Sequence, residues 1–109
     1  MINIKEFQKI DIVVGQILSA EKIPDTDKLL KLLVDLGEEK PRQIVSGISL
    51  YFSDLSILIG KKCMFVGNLE PRIIRGNESQ GMIIALLTED GKFSLISPDD
   101  NIPIGTKAK

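Results

Sequence analysis

Apolar positions along the chain fall into short runs of about five to twelve residues, cut by Pro24, Pro41, Pro71, Pro98 and Pro103 and by nine glycines. Turn-formers at that density predict an all-β barrel or sandwich. Between Ile10 and Glu21, Ile10, Ile12, Val14, Leu18 and Ala20 share one parity and Val13, Ile17 and Ser19 the other. This is the pattern of a long strand with an apolar centre on both faces, and Gly15 offers it a place to bend around a barrel corner. Lys61 to Gly67 reads as a second strand. Met82 to Thr88 and Lys92 to Ile96 form a hairpin around Glu89-Asp90-Gly91, because Asp-Gly supplies the positive φ that tight hairpin turns need.

One segment fits two periods. From Asp27 to Gly37, Leu30, Leu32, Val34 and Leu36 alternate as in a strand, while Leu29, Leu32, Leu33 and Leu36 line a helical stripe. Periodicity alone favours the helix, with Asp25 or Thr26 as its cap and Gly37 as its end. A short helix is expected within Ser49 to Ile59 and a single helical turn within Ile2 to Phe7. The 109 residues hold no internal repeat, linker or low-complexity tract, so residues 1–109 are read as one domain.

Composition narrows the chemistry. There is no histidine and a single cysteine, Cys63, which excludes His-based nucleophile activation, a disulfide and a structural zinc cluster. The N-terminal residues interleave charges with apolar positions and lack the apolar core of a signal peptide, and no run approaches a membrane span, so a cytoplasmic location is expected. Fourteen Lys and Arg against fifteen Asp and Glu give a net charge of −1, which speaks against coating nucleic acid by bulk charge. Distribution adds detail: residues 61–76 carry four cations (Lys61, Lys62, Arg72, Arg75) and one acid, and residues 89–100 carry four acids and one lysine. A local basic patch on an acidic molecule follows.

Three clusters hold the candidate chemistry. Gln43-Ile44-Val45-Ser46-Gly47 reads by itself as a strand end and turn. Asn68 to Met82 is a connection of about fourteen residues, longer than a structural link needs and rich in donors: Arg72 and Arg75 suit phosphate, and Asn68, Ser79 and Gln80 suit base edges or ribose hydroxyls. Its residues alone leave a binding loop and a solvated loop both open. In Pro24 to Leu29 the carboxylates of Asp25 and Asp27 lack a third ligand for a metal, and a turn is the simpler reading. Cys63 reads as an inert core thiol, and Tyr51 and Phe52 as packing residues before base-stacking ones.

Taken in order, Asp11-Ile-Val-Val-Gly15-Gln-Ile, Pro24 to Leu29, Val34-Asp35-Leu-Gly37-Glu38, Arg42-Gln-Ile-Val-Ser-Gly47, Gly60-Lys61-Lys62, Asn68-Leu-Glu-Pro-Arg72, Arg75-Gly76 and Ser79-Gln-Gly-Met82 resemble the tRNA-binding domain of methionyl-tRNA synthetases, their β-type subunits and free-standing tRNA-binding proteins. The resemblance spans almost the whole chain. It implies a five-stranded OB-fold barrel with short helices and makes Leu29 to Leu36 the second strand, against the helical period. It also implies a homodimer built from the N-terminal segment and the C-terminal part of the chain. Carried over residue by residue, it places tRNA contacts on Lys28, Arg42, Ser46, Asn68, Arg72, Arg75, Ser79 and Gln80, with recognition by shape and backbone, no catalytic residue, no cofactor and no metal. A methionyl-tRNA synthetase catalytic chain is a further implied partner. Two positions depart from the family pattern: Ile73 stands where relatives often carry Lys, and Ile23 where His is common. An acidic charge and an apolar loop residue suit an alternative, a dimeric OB-fold module for protein interaction or chaperone-like binding.

Overall fold

A computed structural model describes all residues from 1 to 109. A capped helical turn, α1 (Ile4–Phe7), leads into the long strand β1 (Ile12–Lys22), followed by β2 (Leu30–Asp35) and β3 (Arg42–Ser46). Two 3-10 turns, Ser49–Tyr51 and Leu55–Leu58, precede β4 (Lys62–Val66); then come β5 (Arg72–Ile74), β6 (Asn77–Ser79), β7 (Met82–Ile83), β8 (Ala85–Leu87) and β9 (Phe93–Leu95). Five strands pair antiparallel in the order β3-β2-β1-β4-β7, and two hairpins, β5-β6 and β8-β9, stand apart from that sheet. The sheet curls until residue 80 meets β3, where the Gln80 amide donates to the Gln43 carbonyl at 2.8 Å. The result is a nearly closed, all-β barrel of the OB type.

The ambiguous leucine segment is a strand. Leu30, Leu32 and Val34 are wholly buried, whereas Leu33, central to the helical stripe, points outward and is 39% exposed. Pairing with β1 on one side and β3 on the other satisfies its backbone, an outcome that local periodicity does not encode. Gly37 takes φ +83° to turn out of this strand rather than to end a helix. Ile17, Leu30, Leu32, Val34, Ile44, Cys63 and Phe65 fill the barrel, and Leu58 from the second 3-10 turn joins them. Burial holds the Cys63 thiol above its ordinary pKa, against the pull of the nearby Lys61, so it stays protonated at neutral pH.

β1 serves several partners. Its first half pairs with β4, its second half with β2, and the register shifts between Ile17 and Ser19, so a bulge there takes the bend. Gly15 does something different: a Cβ at that position would lie 2.6 Å from Leu36 Cδ2 and 2.7 Å from Phe65 Cδ1, so the missing side chain lets the buried Phe65 ring approach the strand. The C-terminal segment runs beside the start of β1, with Gly105 donating to Val14 at 2.8 Å and Ala108 to Ile12 at 2.8 Å. Residues 82–88, expected as one strand, divide into β7 in the barrel and β8 in the outer hairpin, which turns through Gly91 as anticipated.

Candidate nucleic-acid interface

The connection from Asn68 to Met82 is an ordered hairpin rather than a loop. Arg75 and Gly76 form its two-residue turn with φ +50° and +77°, the paired positive values of a type I′ turn, and Asn77 Nδ2 donates to the Arg75 carbonyl at 3.0 Å. Arg-Gly is a poor turn signal because an arginine seldom adopts positive φ, which hid this hairpin from the sequence reading.

Neutral groups fasten the hairpin to β3. Ser79, only 5% exposed, accepts from the Val45 amide at 3.0 Å and donates to the Gly81 carbonyl at 3.1 Å. Gln80 Oε1 accepts from the Gln43 amide at 3.2 Å, and Gln43 Nε2 donates to the Glu78 carbonyl at 2.9 Å. These bonds satisfy an edge strand that would otherwise present open donors and acceptors. Gln43 is the member that sequence reasoning passed over as part of a strand end; its alternation with Ile44 was the available signal.

Arg42 anchors the base of the hairpin. Nε and Nη2 donate to the two oxygens of Glu38, both at 2.8 Å, and Nη1 donates to the carbonyls of Gln80, at 3.0 Å, and Gly67. The hydrogen bond from Arg42 holds the Glu38 carboxyl below its ordinary pKa, and the same bond raises that of Arg42. Glu38, four residues before Arg42, belongs to one of the matching stretches, but sequence reasoning assigned it no role. Asn68 is also engaged internally: its Oδ1 accepts from the Asp11 amide at 2.9 Å and its Nδ2 donates to the Lys9 carbonyl at 2.6 Å, tying the segment after α1 to the end of β4.

Of the eight residues expected to contact RNA, Arg42, Asn68, Ser79 and Gln80 therefore have side chains bonded within the protein. Lys28, Arg72 and Arg75 are exposed and belong to none of the four ion pairs. Arg75 and Lys28 line one open cleft of about 360 Å³ with Asp25, Thr26, Asp27 and Leu29. Ser46 is half-buried at the end of β3, opposite Leu30 at the start of β2. Tyr51 stacks on Phe93 at 4.1 Å and Phe52 meets the same ring edge-on at 5.7 Å, so both aromatics pack within the protein. No group of three or more His, Cys, Asp or Glu side chains is gathered as metal ligands, and no helix is long and apolar enough to cross a membrane.

Cations projected from a fixed hairpin, with no carboxylate partner, can neutralise phosphates. Residues 12–107 match the family model described as "Putative tRNA binding domain". The chain belongs to the tRNA-binding domain family. It is 51% identical over 108 residues to methionine–tRNA ligase 1 of Bacillus anthracis, and 46% identical over 106 residues to the methionine–tRNA ligase of Methanococcus aeolicus. These alignments take in 99% and 97% of this chain but 16% and 15% of the two ligases. Among solved structures, the MetRS related protein from Pyrococcus horikoshii superposes with a TM-score of 0.92 at 43% identity, covering 100% of this chain and 98% of that one. The chaperone CsaA from Bacillus anthracis superposes with a TM-score of 0.86 at 28% identity, covering 100% and 99%. As a member of this family, the chain is a non-catalytic tRNA-binding module.

Proposed function

We propose that this module binds tRNA by shape and backbone through Lys28, Arg72 and Arg75, together with Ser46. Arg42, Ser79 and Gln80 serve the same face by holding the hairpin in place, and Asn68 fixes the end of β4 from which the chain enters it. It acts as a homodimer, either as an auxiliary of a methionyl-tRNA synthetase catalytic chain or as a free cytoplasmic tRNA-binding protein. The observation that carries this reading is the pairing of unpartnered cations with a hairpin already ordered by neutral hydrogen bonds. Donors of that kind suit phosphates and 2′-hydroxyls and carry little sequence information. The dimer is supported by apolar surface in the N-terminal segment and in the C-terminal part of the chain: Ile2 before α1, Ile4 in it, and Leu86 and Leu87 on β8 are all exposed.

The test is a tRNA gel shift with Arg72→Ala plus Arg75→Asn, since Asn tolerates the positive φ of the turn. The double variant is expected to lose the shift while its circular dichroism and its mass by light scattering stay unchanged. Undiminished binding would remove the face from consideration. A protein-binding reading is favoured by the likeness to the chaperone CsaA. Capture of a polypeptide that survives RNase treatment, with no tRNA binding, would put that reading first.

A further inference from the structure

The outer face of the β5-β6 hairpin carries a residue pair that a phosphate clamp does not explain. In the hairpin register Arg72 lies opposite Ser79, Ile73 opposite Glu78 and Ile74 opposite Asn77. Alternation therefore puts Ile73 and Glu78 together on one face and Ser79 on the other. Ser79 is buried against β3, so the Ile73–Glu78 face turns away from the barrel. Ile73 is 70% exposed there, and the Glu78 carboxylate is exposed with no hydrogen bond or ion pair, although the Glu78 carbonyl is fixed by Gln43 Nε2. Side chains directly opposite on paired strands stand about 5 Å apart at Cβ, so an apolar platform and a free double acceptor sit side by side.

A carboxylate on the hairpin that carries Arg72 and Arg75 weakens phosphate binding there, so its chemistry points to donors. RNA offers these on nucleobases, and guanine alone presents two adjacent donors, N1–H and the 2-amino group, on its Watson–Crick edge, matching the two oxygens of a carboxylate. Unpaired bases are the ones that expose that edge and a face free to pack on a side chain. We propose that Ile73 and Glu78 form a reading site for one unpaired guanine, its ring lying against Ile73 and its Watson–Crick edge donating to Glu78. The site rests on the tRNA-binding reading and adds base preference to an interface otherwise blind to sequence.

The test uses uridine heptamers carrying guanosine, inosine, adenosine or uridine at the central position, titrated by fluorescence anisotropy alongside total tRNA. Wild type is expected to bind the guanosine heptamer about tenfold more tightly than the adenosine one, the discrimination usual for a bidentate base contact. Inosine, which keeps N1–H but lacks the 2-amino group, is expected to fall between them. Glu78→Gln brings the guanosine-to-adenosine ratio close to one and leaves the salt dependence of tRNA binding intact, because an exposed side chain is altered and no cation is lost. Arg72→Ala plus Arg75→Asn does the reverse, removing the tRNA gel shift while its weakened heptamer binding keeps the guanosine-to-adenosine ratio. Equal affinities in wild type, a preference that survives Glu78→Gln, or tRNA binding with no heptamer binding would each overturn the guanine site while leaving the tRNA-binding reading standing. Absence of tRNA binding would overturn both.

Discussion

Four acceptors surround the Arg42 guanidinium, two from Glu38 and one each from Gly67 and Gln80, so its charge is spent inside the protein. Read from sequence, Arg42 and Arg72 look alike, because a donor-rich side chain in a binding motif does not reveal whether its partners are internal or external. Folding separates them. Glu38 has a folded pKa below its ordinary 4.5, so the stability it contributes is present above that value and is lost as pH falls through the depressed one. Glu38→Gln is therefore expected to lower the urea midpoint at neutral pH and to converge on wild type in acid; a gap that persists in acid would rule out the carboxylate as its cause. Ser79→Ala leaves the buried Val45 amide without an acceptor and is expected to cost about 1–3 kcal/mol in a urea titration. It should also weaken tRNA binding without changing the salt slope, since no charge is removed. At Gly15 an added Cβ meets Leu36 and Phe65 under 3 Å, so Gly15→Ala is expected to destabilise by about 1–3 kcal/mol on the same assay.

At the scale of elements, β1 and β4 were legible because their apolar runs are rich in β-forming residues, bent or bounded by glycine, and carry no competing helical stripe. β2 was not, because leucine occupies both parities from Leu29 to Leu36 and only pairing with β1 and β3 chooses between them. The family resemblance supplied what the period lacked. The β5-β6 hairpin was hidden for a local reason, its turn being built on an arginine at positive φ. β8 presents Ala85, Leu86 and Leu87, all exposed, and pairs only with β9. An apolar edge strand of this kind invites another chain, and a second copy is the partner proposed above. Leu86→Glu plus Leu87→Glu is accordingly expected to shift the light-scattering mass from dimer to monomer with circular dichroism unchanged; a dimer that persists would place the contact elsewhere.

For the whole molecule, a net charge of −1 gives no bulk attraction for RNA, so binding falls to cations gathered on one face. On the proposed face three residues per copy, Lys28, Arg72 and Arg75, set the scale of the salt dependence. A log–log slope of roughly −2 to −3 is expected if one copy of a dimer engages a tRNA, and roughly −4 to −5 if both do. A slope near zero would sink the phosphate contacts altogether. The seam of Gln43, Ser79 and Gln80 has a kinetic counterpart. Because neutral hydrogen bonds order the hairpin before any RNA arrives, encounter needs no slow rearrangement of the protein, and little ordering entropy is lost on contact. The observed association rate should rise linearly with tRNA concentration without reaching a plateau, and added salt should slow arrival and hasten departure while the amides of the seam keep their protection from hydrogen exchange. A tRNA held in this way is released by competing ions alone, and the vacated face is ready for the next one.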